Sequence, residues 1–308
     1  MISLSSIPPF PERQKLSRFR FNPTKTVKIS FQSEQVLRNH GRPSLKFYLL
    51  SLCVCVWLLC SSGIGRVAPL EAVLFDIDGT MAISDPFHHR ATSEMLLKVG
   101  YNNGVPITPE FGMANMAGRS NEQIGRFLFP DWDQRRLDAF FAEKEALFAR
   151  YAAEGLREIA GLTPLCRWAA GRGLRRAAVT NAPRANAELM ISILGLSDFF
   201  SLVVTAEECG RSKPYPDPYL RALDLLGVSP DHALVFEDST TGVQAGIAAG
   251  MPVVAIAEES REDKLLAVGA TLVIRDYEDP KLWAALDKLD TTRPQAAAAE
   301  TNGKLTQL

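Results

Sequence analysis

The chain has 308 residues, 46% hydrophobic and 22% charged, enough apolar material to bury one large core or two smaller ones. A formal net charge of −1 gives no global field that would draw it to nucleic acid. Among the five cysteines, Cys53, Cys55 and Cys60 share one apolar run while Cys166 and Cys209 stand alone, a pattern that makes no disulfide framework. The four histidines, His40, His88, His89 and His232, lack metal-ligand spacing, so a metal here would be held by oxygen.

Residues 1–66 read as an extension separate from the fold. Up to Lys46 the segment is rich in Ser, Pro, Lys and Arg, and its only acids are Glu12 and Glu34, as in organelle transit peptides. An uncharged stretch, 47–65, follows; its 19 residues just reach the length of a membrane span, although Gly63, Gly65 and several serines weaken that reading. Three alternatives stand: a plastid-targeting extension, a signal anchor, or a start assigned upstream of the true one. The anchor fits least well, because Arg66 leaves almost no linker before the first strand. The folded part is therefore expected in the chloroplast or the cytoplasm, with a membrane location through 47–65 as the alternative.

The apolar run Ala72-Val73-Leu74-Phe75 ends in Asp76-Ile77-Asp78-Gly79-Thr80. If the run is a buried parallel strand, both carboxylates emerge at its carboxyl end, where open α/β sheets bind ligands. Crowded carboxylates need a cation or a shared proton, which suggests a metal-assisted site with one Asp as nucleophile and the other as acid and base. By themselves these residues fit a strand ending in an Asp-Gly turn equally well.

About 100 residues with helical patterning come next, notably 86–99, 121–129 and 135–152. In the last of these Phe140, Phe141, Leu147, Phe148 and Tyr151 recur at helical spacing, read as a helix core. The chain then returns through a helix at 162–171 and alternates strands and helices: 176–179, 185–194, 202–204, 219–226, 233–236, 242–249 and 253–256, with a short edge strand at 272–274 and a last helix at 280–289. That alternation predicts a parallel sheet covered on both faces. The alanine-containing tail, 291–308, is expected to be disordered.

Two later strands end in polar pairs, Thr180-Asn181 and Glu237-Asp238, and between them lies Ser212-Lys213-Pro214-Tyr215-Pro216-Asp217-Pro218, whose prolines stiffen the backbone around one lysine. Singly, these are a cap, a solvated turn and a surface lysine. In this order they assemble hydroxyl and amide donors, one fixed cation and metal-holding carboxylates, which is a phosphate site.

Through Asp76-Ile77-Asp78-Gly79-Thr80, Thr180-Asn181, Lys213 and Glu237-Asp238-Ser239, the chain resembles the haloacid dehalogenase superfamily over about Leu70 to Asp290. Within its β-phosphoglucomutase-like subgroup it is similar to plant broad-range phosphatases of sugar phosphates and glycerol 3-phosphate, through Ala178-Val179-Thr180-Asn181-Ala182-Pro183, Asn186-Ala187-Glu188-Leu189-Met190-Ile191-Ser192 and Leu234-Val235-Phe236-Glu237-Asp238-Ser239. The resemblance implies an α/β fold: a doubly wound, Rossmann-like parallel-sheet core at 67–86 and 154–290, with a small α-helical cap inserted at 87–153. It implies a monomeric Mg²⁺-dependent phosphatase of small phosphate esters, with no nucleic-acid partner and no stable membrane partner for the core.

The same resemblance implies roles for single residues. Asp76 attacks phosphorus to form an aspartyl-phosphate, and Asp78 protonates the leaving alkoxide and then activates water. Mg²⁺ is held by Asp76, the backbone carbonyl of Asp78, Asp238 and Glu237; Thr180, Asn181 and Lys213 bind the phosphoryl oxygens. His88 matches a histidine at the junction of core and cap, where a structural and a gating role are equally open. Gly118-Arg119-Ser120 aligns the cap so that Asn121 takes the position where phosphomutases carry an arginine for a second phosphate, Arg119 being displaced by two residues. Where relatives usually carry Asp in the flap after the first motif, this chain has Met81 and then Ile83, which bears on cap closure.

Asp78 disfavours a dehalogenase, whose halide leaves without a proton. The remaining alternatives are a sugar phosphomutase and a non-catalytic or membrane-tethered relative that binds phosphorylated ligands. Nothing in 1–66 provides a residue that the mechanism needs. A chain starting at Val67 is therefore expected to be soluble, monomeric or weakly associating, and fully active with Mg²⁺, which comparison of its turnover and thermal midpoint with those of the full-length protein would check.

Overall fold

A computed structural model describes residues 69–291; the expectations for 1–66 and 292–308 lie outside the described residues. Six strands, β1 (Ala72–Phe75), β2 (Arg175–Thr180), β3 (Leu202–Thr205), β4 (Ala233–Glu237), β5 (Val253–Ile256) and β6 (Leu272–Ile274), form one sheet in the order β3-β2-β1-β4-β5-β6. Every pairing is parallel, with Leu74 level with Ala177 on one side and Val235 on the other. The short 272–274 strand lies at the edge, as its sequence predicts.

Strand parity builds two cores, because successive side chains leave a strand on opposite faces. Val73, Phe75, Ala178, Phe236, Val254 and Ile274 pack on one face under α5 (Leu162–Gly171), α6 (Arg184–Ile193) and α10 (Pro280–Thr291). Ala72, Leu74, Ala177, Val179, Val235 and Val253 pack on the other under α7 (Asp217–Leu226), α8 (Thr240–Ala248) and α9 (Glu259–Ala267). Phe75 anchors the first layer, stacked on Phe236 at 4.8 Å and edge-on to Phe199 and Phe200. With both faces covered, the strands can be continuous apolar runs, and β1 is fully buried.

Between β1 and β2 the chain inserts α1 (Asp85–Lys98), α2 (Pro109–Asn115), α3 (Asn121–Leu128) and α4 (Gln134–Gly155), helices that run from 85 to 155 against the expected 87–153. Met95, Leu96, Leu128, Phe129, Phe140 and Phe141 form a third apolar cluster inside this insertion. The aromatic stripe of α4 is a helix core divided between two clusters, since Phe148 and Tyr151 face the sheet side instead. Sequence patterning missed α2 and α9 for one reason: α2 buries no residue and α9 only Leu265, so neither carries an apolar stripe.

Entry and exit of the insertion run side by side. Ala82 bridges Glu158 in antiparallel sense, Ile83 N donates to Arg157 O at 3.0 Å, and Ile159 N donates to Met81 O at 2.9 Å. Met81 is buried, whereas the Ile83 side chain is 48% exposed, so the backbone and not the Ile83 side chain ties this junction together.

Candidate active site

The carboxyl ends of β1, β2 and β4 meet at one place, and the loop before α7 adds Lys213. Lys213 is 1% exposed, and its ammonium donates to Asp76 Oδ1 at 2.7 Å, Glu237 Oε1 at 2.6 Å and the Val179 carbonyl at 2.8 Å. Burial works against the charged lysine, but Asp76 and Glu237 outweigh it and hold its pKa above the ordinary value. Asn181 fixes the lysine backbone: its Oδ1 accepts from Lys213 N at 3.1 Å and its amide donates to Lys213 O at 3.3 Å.

Asp76, Glu237 and Asp238 each place an oxygen within 4.8 Å of the others. Glu237 is the most engaged of the three. Its Oε1 accepts from Lys213 and from the Tyr219 hydroxyl at 2.8 Å, and its Oε2 accepts from the amides of Asp238 at 3.1 Å and Ser239 at 3.3 Å. Asp76 has a pKa pushed well up, first by burial and then by Glu237 and Asp78, with Lys213 opposing. Asp238 is likewise pushed well up by burial and by Asp76 and Glu237. The Lys213 ammonium and the half-buried Arg261 guanidinium, 3.9 Å from Asp238 Oδ2, do not neutralise three buried carboxylates. The donor set is all oxygen, crowded and short of positive charge, and it fits a hard divalent cation. Gly79 makes the crowding possible: at φ +71° it turns the chain where an added Cβ would lie 2.5 Å from Asp238 Oδ2.

Asp78 stands apart from that trio. Its Oδ1 meets His88 Nε2 at 2.9 Å, and although burial acts to raise it, the histidine prevails and the carboxyl lies below its ordinary pKa. His88 Nδ1 faces the ammonium of Lys144 at 3.0 Å. Since an ammonium only donates, Nδ1 must accept, and Nε2 carries the proton toward Asp78. The imidazole also stacks on Phe148 at 3.8 Å. Lys144, 5% exposed, pairs further with Glu145 Oε1 at 3.0 Å.

A cavity of about 400 Å³ opens over these groups between core and insertion. Its lining brings together Asp76, Asp78, His88, Thr180, Asn181 and Lys213 with Gly118, Arg119 and Asn121 of the insertion; Glu237 and Asp238 lie outside the lining, the former beneath Lys213. Gly118 seats the insertion on the core, its carbonyl accepting from the Asn181 amide and the Thr241 hydroxyl, both at 2.9 Å. At φ +72° a Cβ there would lie 2.6 Å from Ser239 Cβ. The Thr180 hydroxyl accepts from Ala182 N at 3.0 Å, the Arg119 guanidinium lies 5.6 Å from the Phe127 ring centre, and Asn121 donates to Glu145 Oε1 at 2.7 Å.

Lys144, Glu145 and Tyr219 were not singled out from the sequence, and Asn186 entered only within a phrase carrying the family resemblance, with no contact assigned to it. For Lys144 a signal existed: it falls in the buried series Leu137, Phe140, Phe141, Phe148, Tyr151, where a lysine breaks an apolar stripe. Asn186 donates to Glu145 Oε2 at 2.5 Å across the two parts of the chain, a contact that sequence spacing cannot show.

Removing the central cation tests this arrangement. Lys213→Met should lower stability by about 3 kcal/mol, because two carboxylates are left buried without their partner. Adding Glu237→Gln should recover part of that loss, as read from urea unfolding midpoints without divalent metal.

Residues 70–250 match the family of haloacid dehalogenase-like hydrolases. A phosphoglycolate phosphatase of Rhodospirillum rubrum is 30% identical over 69% of this chain and 90% of its own, and the fructose-1-phosphate phosphatase YqaB of Escherichia coli is 30% identical over 59% of this chain and 94% of its own. The crystal structure of CbbY from Rhodobacter sphaeroides in complex with phosphate superposes with a TM-score of 0.62 at 27% identity, covering 71% of this chain and 99% of that one. Four motifs at the carboxyl ends of one parallel sheet, and a family match spanning most of that sheet, make this chain a hydrolase of the haloacid dehalogenase-like family.

Proposed function

We propose that the chain is a Mg²⁺-dependent phosphatase that hydrolyses small phosphate monoesters, sugar phosphates and glycerol 3-phosphate among them, through an aspartyl-phosphate on Asp76. One observation carries this reading: two carboxylates two residues apart stand in opposite environments, Asp76 beside Lys213 in an oxygen-rich trio and Asp78 against His88. That division suits a nucleophile and an acid-base group. The related phosphatases of phosphoglycolate and fructose 1-phosphate, and the phosphate-bound relative, support the same substrate class.

Asp76 and Asp238, with the main-chain carbonyl of Asp78 and Glu237, would hold Mg²⁺, which supplies positive charge to offset the phosphoryl oxygens. Asp76 attacks phosphorus as the ester bond to the alkoxide breaks, and Asp78 gives the departing oxygen its proton. His88 favours the anionic form of Asp78, the form that later takes a proton from the attacking water. An arriving phosphoryl dianion opposes that preference and favours the proton needed for the first step. Lys213 and Thr180 bind phosphoryl oxygens, while Asn181 holds the lysine loop in place. The insertion acts as a cap: Gly118 closes it on the core, and Arg119 and Asn121 face the leaving group. The enzyme works as a monomer, in the chloroplast or the cytoplasm. No described helix is long and apolar enough to cross a membrane.

Asp76→Asn should abolish turnover, since an amide cannot form the acyl phosphate. Asp78→Asn should retain a rate lower by roughly two to four orders of magnitude. Phosphate release from glycerol 3-phosphate and from a hexose 1-phosphate supplied with a bisphosphate activator, with and without a chelator, provides the measurement. Substantial turnover by Asp76→Asn would overturn the covalent route, and efficient formation of the hexose 6-phosphate would assign the chain to the mutases.

A further inference from the structure

We infer that Gln123 of the insertion is a positioning residue for Lys213: it braces the main chain of the lysine when the insertion is seated, so that a phosphoryl group is held tightly only in the closed cavity. The inference rests on the phosphatase reading, in which Lys213 binds a phosphoryl oxygen.

Gln123 lies in the first turn of α3, and both ends of its amide are committed. Its Oε1 accepts from Ser120 N at 2.9 Å, and its Nε2 donates to the Lys213 carbonyl at 3.2 Å. A main-chain N–H only donates and a carbonyl only accepts, so the amide has one orientation; turned over, it would set donor against donor at one end and acceptor against acceptor at the other. Toward Ser120 the side chain completes a capping box, with Gln123 N donating to Ser120 Oγ at 3.4 Å. Toward Lys213 it reaches a residue 90 positions along the chain, a contact that helix capping does not need.

The Lys213 carbonyl accepts twice, from Gln123 and from the Asn181 amide at 3.3 Å, which uses both of its lone pairs. Asn181 comes from the core and Gln123 from the insertion. The same Asn181 nitrogen donates to the Gly118 carbonyl at 2.9 Å, so the segment from Gly118 to Gln123 docks on Asn181 and Lys213 together. Fixing this peptide matters because the ammonium has no idle proton: its three meet Asp76, Glu237 and the Val179 carbonyl. A phosphoryl oxygen is bound only if one of those contacts is given up or shared, and the side chain must shift without leaving a buried charge uncompensated. A peptide braced on both lone pairs confines that shift to the side chain. Seating of the insertion and affinity for the phosphoryl group are thereby coupled, and each favours the other.

The test measures binding of inorganic phosphate with Mg²⁺ by calorimetry, with thermal midpoints recorded alongside, on the full chain and three variants. Inorganic phosphate carries no ester group, so contacts between the insertion and a leaving group do not enter. Gln123→Leu removes both the donor to Lys213 and the capping acceptor. Gln123→Glu removes the donor, keeps the capping acceptor and adds a charge, whereas Ser120→Ala weakens the capping box and leaves the donor. Both Gln123 variants should bind phosphate about fivefold more weakly. Ser120→Ala should bind it as the unaltered chain does, at a lower thermal midpoint, and kcat/KM for glycerol 3-phosphate should follow the same order. Weaker binding in Gln123→Leu and Ser120→Ala but not in Gln123→Glu would make Gln123 a helix cap and overturn the inference. Weaker binding in Gln123→Glu alone would trace the effect to charge and overturn it as well, as would unchanged binding in both Gln123 variants. If Gln123→Leu does not fold, Gln123→Glu carries the test across salt concentrations, since a charge effect fades with added salt and the loss of a donor does not. The expected binding pattern without phosphate release from glycerol 3-phosphate would remove the phosphatase reading alone; no phosphate binding by the unaltered chain would remove both.

Discussion

A single ammonium among buried carboxylates governs the site. Lys213 reaches Asp76, Glu237 and the Val179 carbonyl together, and its three protons are all engaged. Such a group is tolerated only where every partner is rigid, because any slack would leave an ion buried without compensation. The stiffness comes from several directions. Asn181 clamps the lysine backbone, Tyr219 and two main-chain amides hold Glu237, and the sheet fixes Asp76 at the end of a strand with 0% exposure throughout.

The sheet turns that local demand into a fold requirement. Strand order places β1 between β2 and β4, so the three ends that carry Asp76, Thr180 and Glu237 are neighbours, where the chain changes direction in a doubly wound sheet. Alternating parity sends Val73 and Phe75 into one layer and Leu74 into the other, which locks the register of β1 and hence the position of its terminal carboxylate. The insertion completes the cavity without disturbing this order.

How much of this was legible in the sequence depended on whether the signal was local. The strands were legible because runs such as Ala233-Leu234-Val235-Phe236 are apolar without interruption, and the 272–274 edge strand was found for the same reason. The polar residues at strand ends were legible because β-to-loop transitions put them beside one another in the chain. Lys213 stood out through the prolines around it. By contrast, α9 folds around one buried leucine, and its Arg261 donates to the Asp238 carbonyl at 2.8 Å, a tertiary contact without periodicity. The contact between Glu145 and Asn186 was missed because each is an ordinary helix residue until the two helices meet. The series Phe141, Lys144, Phe148 did carry a local clue, a charge at a core position.

The side-by-side ends of the insertion have a wider consequence. Met81 to Ile83 and Arg157 to Ile159 are joined by main-chain hydrogen bonds, so the loop closed by β1 and α5 stays the same size however many residues depart from it. Lengthening, shortening or exchanging the intervening helices changes what hangs above the sheet and leaves the separation of β1 and β2 untouched. Because the tie is made by main chain, drift in the side chains at the joint, Ile83 included, is tolerated. A lineage can thus renew the helices above the sheet while the strand ends beneath them keep their spacing.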